Sequence, residues 1–175
     1  MTLHITTPPR ARGAIELLAS RSVIRLVTEI DHNGAIPPRR LATSLPDLSS
    51  HQLRRAAEAA RAHQLVQAAP GSGLELTPRG EELADLYDAA ARWGRRHAYP
   101  APVCEFSRRI HDVLDLLAPP LSTESADGLF RPSTAHLLSD EAEADLARPR
   151  ALLAQWLANS PQTTAELELD YSRAV

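Results

Sequence analysis

Between residues 45 and 67 the chain reads LPDLSSHQLRRAAEAARAHQLVQ, with Ser49, Ser50, His51, Gln52, Arg54 and Arg55 crowded into its first half. Hydroxyl, amide, imidazole and guanidinium groups share one chemistry. They donate hydrogen bonds to anionic oxygens and to the polar edges of planar rings, and arginine does so with two parallel bonds. On an alanine-rich helix the same residues also make an ordinary solvated face, so their meaning depends on the elements around them.

Other chemistries find little support. There is no G-x-S-x-G elbow, P-loop, HExxH pair or Gly-rich dinucleotide turn, so no catalytic residue, cofactor or enzymatic activity is expected. The single cysteine, Cys104, has no Cys or His partner at zinc-ligand spacing, and the seven histidines form no HxH or HxxxH pair. No metal site is expected. Acidic pairs such as Glu81 and Glu82 fall in the first turn of an expected helix, where the helix dipole accounts for them.

The elements that would hold the polar cluster follow from periodicity. RARGAIELLASRSVIRLVTEIDHNG reads as helix, with LASRS as an interruption, Val23, Leu26, Val27 and Ile30 at helical spacing and Gly34 as the stop. IPPRRLATSLPD reads as a short helix entered through a proline pair, with Leu41, Ala42 and Leu45 on its inner face and Pro46 at its exit. Ser49 and Gln52 then stand at capping-box spacing, which starts a helix at Ser49 or Ser50. LVQAAPGSGLELTPRG changes period: two short strands flank PGSG, and Thr77-Pro78 opens the next helix, on which Leu83, Leu86, Ala90 and Trp93 face inward.

Further on, Phe106, Ile110, Val113, Leu114 and Leu117 form one apolar stripe, and Leu146, Leu153, Trp156 and Leu157 another, with Pro149 as a kink or restart. Residues 121–139 lack a clean period, and TTAELELDYSRAV fits strand and frayed helix equally.

Helix, short helix, tight turn, helix, hairpin and helix is the order of a winged helix-turn-helix. Here NGAIPPRRLATSLPDLSSHQLRRAAEAARAHQLVQ followed by LELTPRGEEL resembles the winged-helix regulators of the HxlR type and the wider MarR-like group. The resemblance rests on Gly34, the Arg39-Arg40 pair, the Leu-Pro-x-Leu-Ser lead, the short QLV strand and the Leu-Thr-Pro-Arg-Gly helix start. It covers residues 12 to 95. The N-terminal cysteine and Lys-Trp pair usual in the HxlR type are absent, the corresponding stretch reading SRSV, so thiol sensing is not implied.

The expected fold is therefore mainly α (α+β): a winged helix-turn-helix DNA-binding domain over 12–95 with a short β-hairpin wing, plus C-terminal helices over 101–175. In such an arrangement the second helix of the tight pair enters the major groove of double-stranded DNA. Turning Leu53, Ala57 and Ala60 inward points His51, Arg55 and Glu58 outward, with Arg54 and Arg61 on the flank. Arg55 and His51 are then expected at base edges, with Arg39, Arg40, Arg54, Ser49, Ser50, Gln52 and Ser72 at phosphates or alongside them.

Charge distribution agrees with a divided chain. Residues 1–100 carry 13 Arg against 10 acids and residues 101–175 carry 6 against 12, within a net charge of −3. Residues 36–63 alone hold five Arg against two acids, whereas PGSG brings no cation to the hairpin tip. Modest contact per subunit would require two-fold pairing, so a homodimer on a palindromic operator is expected. The back helices would dimerise, sense an effector or simply extend the core. Trp93, Tyr99 and Trp156 are the residues expected to line a small-molecule pocket, though aromatics at this spacing also make plain core. The alternative function is a winged-helix protein-interaction module without DNA binding. With no apolar run of membrane-span length and no secretory signal at the start, a cytoplasmic location is expected.

Overall fold

The computed structural model describes residues 9–118 and 138–159. It is mainly helical with one small antiparallel sheet, and its elements follow in the order α1 (Pro9–Leu18), α2 (Arg21–Asn33), α3 (Pro38–Ser44), α4 (Ser50–Ala62), β1 (Val66–Ala69), β2 (Gly73–Leu76), α5 (Pro78–Arg96), α6 (Phe106–Leu117), α7 (Asp140–Asp145) and α8 (Ala147–Ala158). The tail beyond residue 159 and most of 121–139 lie outside the described residues.

The helix boundaries have local causes. LASRS separates α1 from α2 as expected, and α2 ends where Gly34, at φ 75°, donates its N–H to Ile30 O at 2.8 Å. Helix α3 starts on the proline pair and buries Leu41, with Leu45 at its C-cap. Ala42, expected on that inner face, is exposed instead, and Leu48 from the connection takes the third inward place. In α4 the capping box forms as spaced: Ser49 Oγ accepts from Gln52 N at 3.2 Å, and Gln52 Oε1 accepts from Ser49 N at 2.9 Å. Two backbone N–H groups that the helix cannot satisfy are thereby paired.

Strands β1 and β2 pair Val66 with Leu76 and Ala69 with Gly73. A third stretch, unforeseen from periodicity, joins this hairpin: Ile36 and Leu74 exchange both backbone hydrogen bonds at 2.9 Å. Gly73 makes the approach feasible. Its φ is 116°, and a Cβ there would lie 2.3 Å from Ile36 O.

The Leu-Thr-Pro-Arg-Gly start of α5 resolves into separate physical tasks. Thr77 Oγ1 caps by accepting from Gly80 N at 3.1 Å, and Pro78 occupies the first helical position, where its missing N–H costs nothing. Arg79 stacks its guanidinium 3.8 Å over the Trp156 ring and donates to Asn159 O at 2.9 Å, closing the C-terminus of α8. Gly80 packs so tightly that a Cβ would lie 2.0 Å from Leu65 O.

One hydrophobic core spans front and back: Leu18, Val27 and Leu53 belong to the same cluster as Leu86, Ile110, Val113 and Trp156. Helix α5 is its axis, touched by α2, α6 and α8. The apolar stripes of α6 and α8 are thus largely spent inside the chain. Phe106, expected at the head of the α6 stripe, is 38% exposed, while Ser107 and Arg109 are buried. Arg109 donates to Gly94 O and Tyr99 O at 2.8 Å and to Pro102 O at 3.2 Å, anchoring the α5–α6 connection. The restart expected near Pro149 occurs at Leu146, which leaves Pro149 in the first turn of α8, where no intrahelical N–H is required of it. Among the described residues no helix is long and apolar enough to cross a membrane.

Candidate nucleic-acid interface

Helix α4 is held from one side. Leu53, Ala56, Ala57 and Ala60 are buried, and the helix packs against α2 and β1. At about 100° per residue the opposite face is then composed of His51, Arg55, Glu58 and Ala62, with Arg54 and Arg61 on one flank; all six are exposed. The small alanines let the helix sit close to its support. Its long polar side chains all stand outward.

The approach to this face is set by Asp47, in the connection between α3 and α4. Its carboxylate accepts Nε and Nη2 of Arg25 at 3.1 Å each, and Nη2 of Arg21 at 3.3 Å. The hydrogen bond from Arg25 holds the Asp47 carboxyl below its ordinary value, and the same bond raises Arg25 above the usual guanidinium value. A bidentate pair of this kind fixes the connection to α2. It also removes a free negative charge from the entry to α4.

The second acid of this region, Glu58, lies 3.9 Å from Arg54, one turn away. Arg54 also sits 3.4 Å from His51 Nδ1. Both acids between residues 36 and 63 therefore face cations, whereas Arg39, Arg40, Arg55 and Arg61 have no carboxylate partner among the described residues. Elsewhere among the described residues, Arg92, Arg96, Arg108 and Arg150 carry acidic partners, Arg109 is spent on backbone carbonyls, and Arg95 and Arg148 have no carboxylate partner.

The polar residues singled out from sequence fall into groups. Ser49 and Gln52 are committed to each other through the capping box, so their remaining donors are the Ser49 hydroxyl hydrogen and the Gln52 amide nitrogen. Ser50, His51, Arg54 and Arg55 project from the first two turns of α4, and Arg39 and Arg40 project from α3. Ser72 is exposed at the hairpin tip, its backbone N–H turned back to Ala69 O at 3.1 Å.

Sequence spacing gives no reason to join Arg61 to Arg39. The fold brings both to one open groove of about 510 Å³, lined also by Pro37, Pro38, Ser72 and Leu74. The Ile36–Leu74 bridge creates this neighbourhood by pinning the hairpin beside the start of α3.

The three aromatic residues separate. Trp93 and Tyr99 meet edge to face at 5.5 Å, while Trp156 sits by Arg79, at the other end of α5. Both indoles are buried with their N–H groups satisfied, Trp93 by Ala142 O at 2.9 Å and Trp156 by Arg79 O at 3.1 Å. Each ties a C-terminal helix to α5. Trp93 also forms one wall of a groove of about 320 Å³ with Asp88, Arg92, Arg148 and Leu152; Tyr99 and Trp156 do not line it.

His111, Asp112 and Asp115 on α6 group within 4.8 Å of one another at the surface, where His111 contacts both carboxylates and Arg108 approaches Asp112 at 3.6 Å. Each of the three offers one atom that could ligate a cation, and the cluster lies on neither α4 nor the hairpin.

No family model, curated protein or solved structure matches the chain.

Proposed function

We propose that this chain is a winged helix-turn-helix transcriptional regulator that reads double-stranded DNA with α4, acting as a homodimer on a palindromic operator. The observation that carries this proposal is the charge arrangement around α4. Its two acids are matched by neighbouring arginines, while Arg39, Arg40, Arg55 and Arg61 have none of the described carboxylates as partner. Exposed arginines without acidic partners fit polyanion neutralisation, and a guanidinium on the outward face of such a helix fits bidentate contact with a guanine edge.

In this account Arg55 and His51 meet base edges, Arg39, Arg40 and Arg54 meet phosphates, and α3 braces α4 over the backbone. The homodimer follows from the modest number of contacts that one subunit offers, since two linked half-sites multiply weak binding. An effector, in the same account, uses the groove beside Trp93.

Selection of bound sequences from a random duplex pool tests the proposal. Recovery of a two-fold symmetric sequence, with Arg55→Ala losing preference for it while keeping the fold, is the expected result. Recovery of no preferred sequence argues for the second reading, a winged-helix protein-interaction module without DNA binding. One observation favours that second reading: residues 70–73 at the hairpin tip carry no cation.

A further inference from the structure

We propose that the groove between the start of α3, the end of α4 and the hairpin holds a phosphodiester of the duplex backbone, gripped by Arg39 and Arg61; the proposal rests on the regulator reading of α4. Arg39 and Arg61 come from different helices, and both line one groove of about 510 Å³. No acidic residue lines it, and neither arginine has a carboxylate partner among the described residues. A planar guanidinium pairs with two phosphate oxygens at once, so two of them flanking one groove complement a tetrahedral, singly charged phosphodiester. Ser72, exposed and also lining the groove, adds a hydroxyl donor.

The groove is built before any ligand arrives. Ile36 and Leu74 exchange two backbone hydrogen bonds at 2.9 Å, which fixes the hairpin to the residue just ahead of the proline pair. Gly73 closes the gap further, its Cα lying so near that a Cβ would fall 2.6 Å from Pro37 Cα. Arg39 and the hairpin therefore keep a set separation. Pre-organisation of this kind lowers the ordering cost of each contact.

The consequence is a different role for the hairpin. With no cation at its tip, it is poorly equipped for the minor groove. As the wall of a phosphate cleft it sets the register of the backbone against α4, leaving base discrimination to Arg55 and His51.

The test uses the full-length chain and a duplex selected from the random pool, with methylphosphonate replacing one phosphate at a time to remove a single charge. Arg61→Ala and Arg39→Ala are compared with Arg55→Ala; all three positions are exposed, and circular dichroism checks the fold. The expected result is that Arg61→Ala and Arg39→Ala each weaken binding to every duplex alike and lower the salt slope by about 1. One methylphosphonate position should weaken the unaltered protein and have a smaller effect on Arg61→Ala and on Arg39→Ala, each of which has already lost one of the two contacts to that phosphate. Unchanged affinity and slope in both variants, with Arg55→Ala still losing preference, overturns the groove site while leaving the regulator reading intact. A change of base preference in Arg61→Ala also overturns it, by making Arg61 a base reader. Absence of duplex binding by the unaltered chain at low salt overturns both.

Discussion

Arg25 grips Asp47 through two N–H donors at 3.1 Å, joining α2 to the connection that leads into α4. One pair thus performs two tasks. It orients the polar helix on its support, and it keeps a carboxylate from opposing the arginines beyond it.

Asp47→Asn is expected to destabilise the fold by about 1 kcal/mol in urea denaturation, the scale of a partly exposed ion pair. Because Arg25 lowers the Asp47 value in the folded chain, its stabilisation is complete above the ordinary carboxylate value of 3.8. It is lost as pH falls through the lowered folded value. The difference between Asp47→Asn and the unaltered chain should therefore persist at neutral pH and shrink only in strong acid. A difference that grows on acidification contradicts the assignment.

Ser49→Ala breaks half of the capping box, leaves Gln52 N without its acceptor, and is expected to cost about 1 kcal/mol. The loss should appear as faster amide exchange in the first turn of α4, with α5 unaffected. Uniform loss of protection across the chain would place the effect elsewhere.

Gly80→Ala tests the close contact at the start of α5. Alanine in an open helix stabilises by roughly 0.5–1 kcal/mol relative to glycine. Here its Cβ meets the Leu65 carbonyl oxygen, so destabilisation by about 2–3 kcal/mol is expected instead. A thermal midpoint equal to or above that of the unaltered chain contradicts the packing described.

Arg109→Met removes the donor shared by Gly94 O, Tyr99 O and Pro102 O. Leaving buried carbonyls unpaired is expected to cost about 2–4 kcal/mol. Arg109→Lys should recover little of this, because one ammonium lacks the guanidinium fork that spans them. Full recovery by lysine would show that charge rather than geometry matters there.

Glu58→Gln removes the negative charge from the centre of the outward face of α4 and releases Arg54. Affinity for duplexes of any sequence is expected to rise by about 3–10-fold at low salt, with the increment fading as salt rises. Unchanged affinity would show that this face does not approach a polyanion.

Local signals anticipated much of the architecture. Capping at Ser49 and Thr77, the Gly34 stop, the buried positions of α4 and the hairpin turn are each decided within a few residues, so composition and spacing reveal them. Phe106 lost its expected place because the buried face of α6 also had to admit Arg109, whose partners lie in the preceding connection and at the end of α5. Tertiary partners, not period, decide such positions. The link between Arg39 and Arg61 was invisible for the same reason: it depends on the Ile36–Leu74 bridge, a pairing of two residues far apart in the chain with no strand period at Ile36. Pairing of Asp47 with Arg25 and Arg21 likewise needed the packing of α2 beside the α3–α4 connection.

The most direct test of the central claim is the affinity of the full-length chain for its selected duplex as a function of salt. Phosphate contact through Arg39, Arg40, Arg54 and Arg61 predicts that the logarithm of the binding constant falls linearly with the logarithm of salt concentration, with a slope near −0.9 for each phosphate neutralised. Folded protein that binds no duplex at low salt, or binds with an affinity indifferent to salt, would contradict the claim that this face meets DNA.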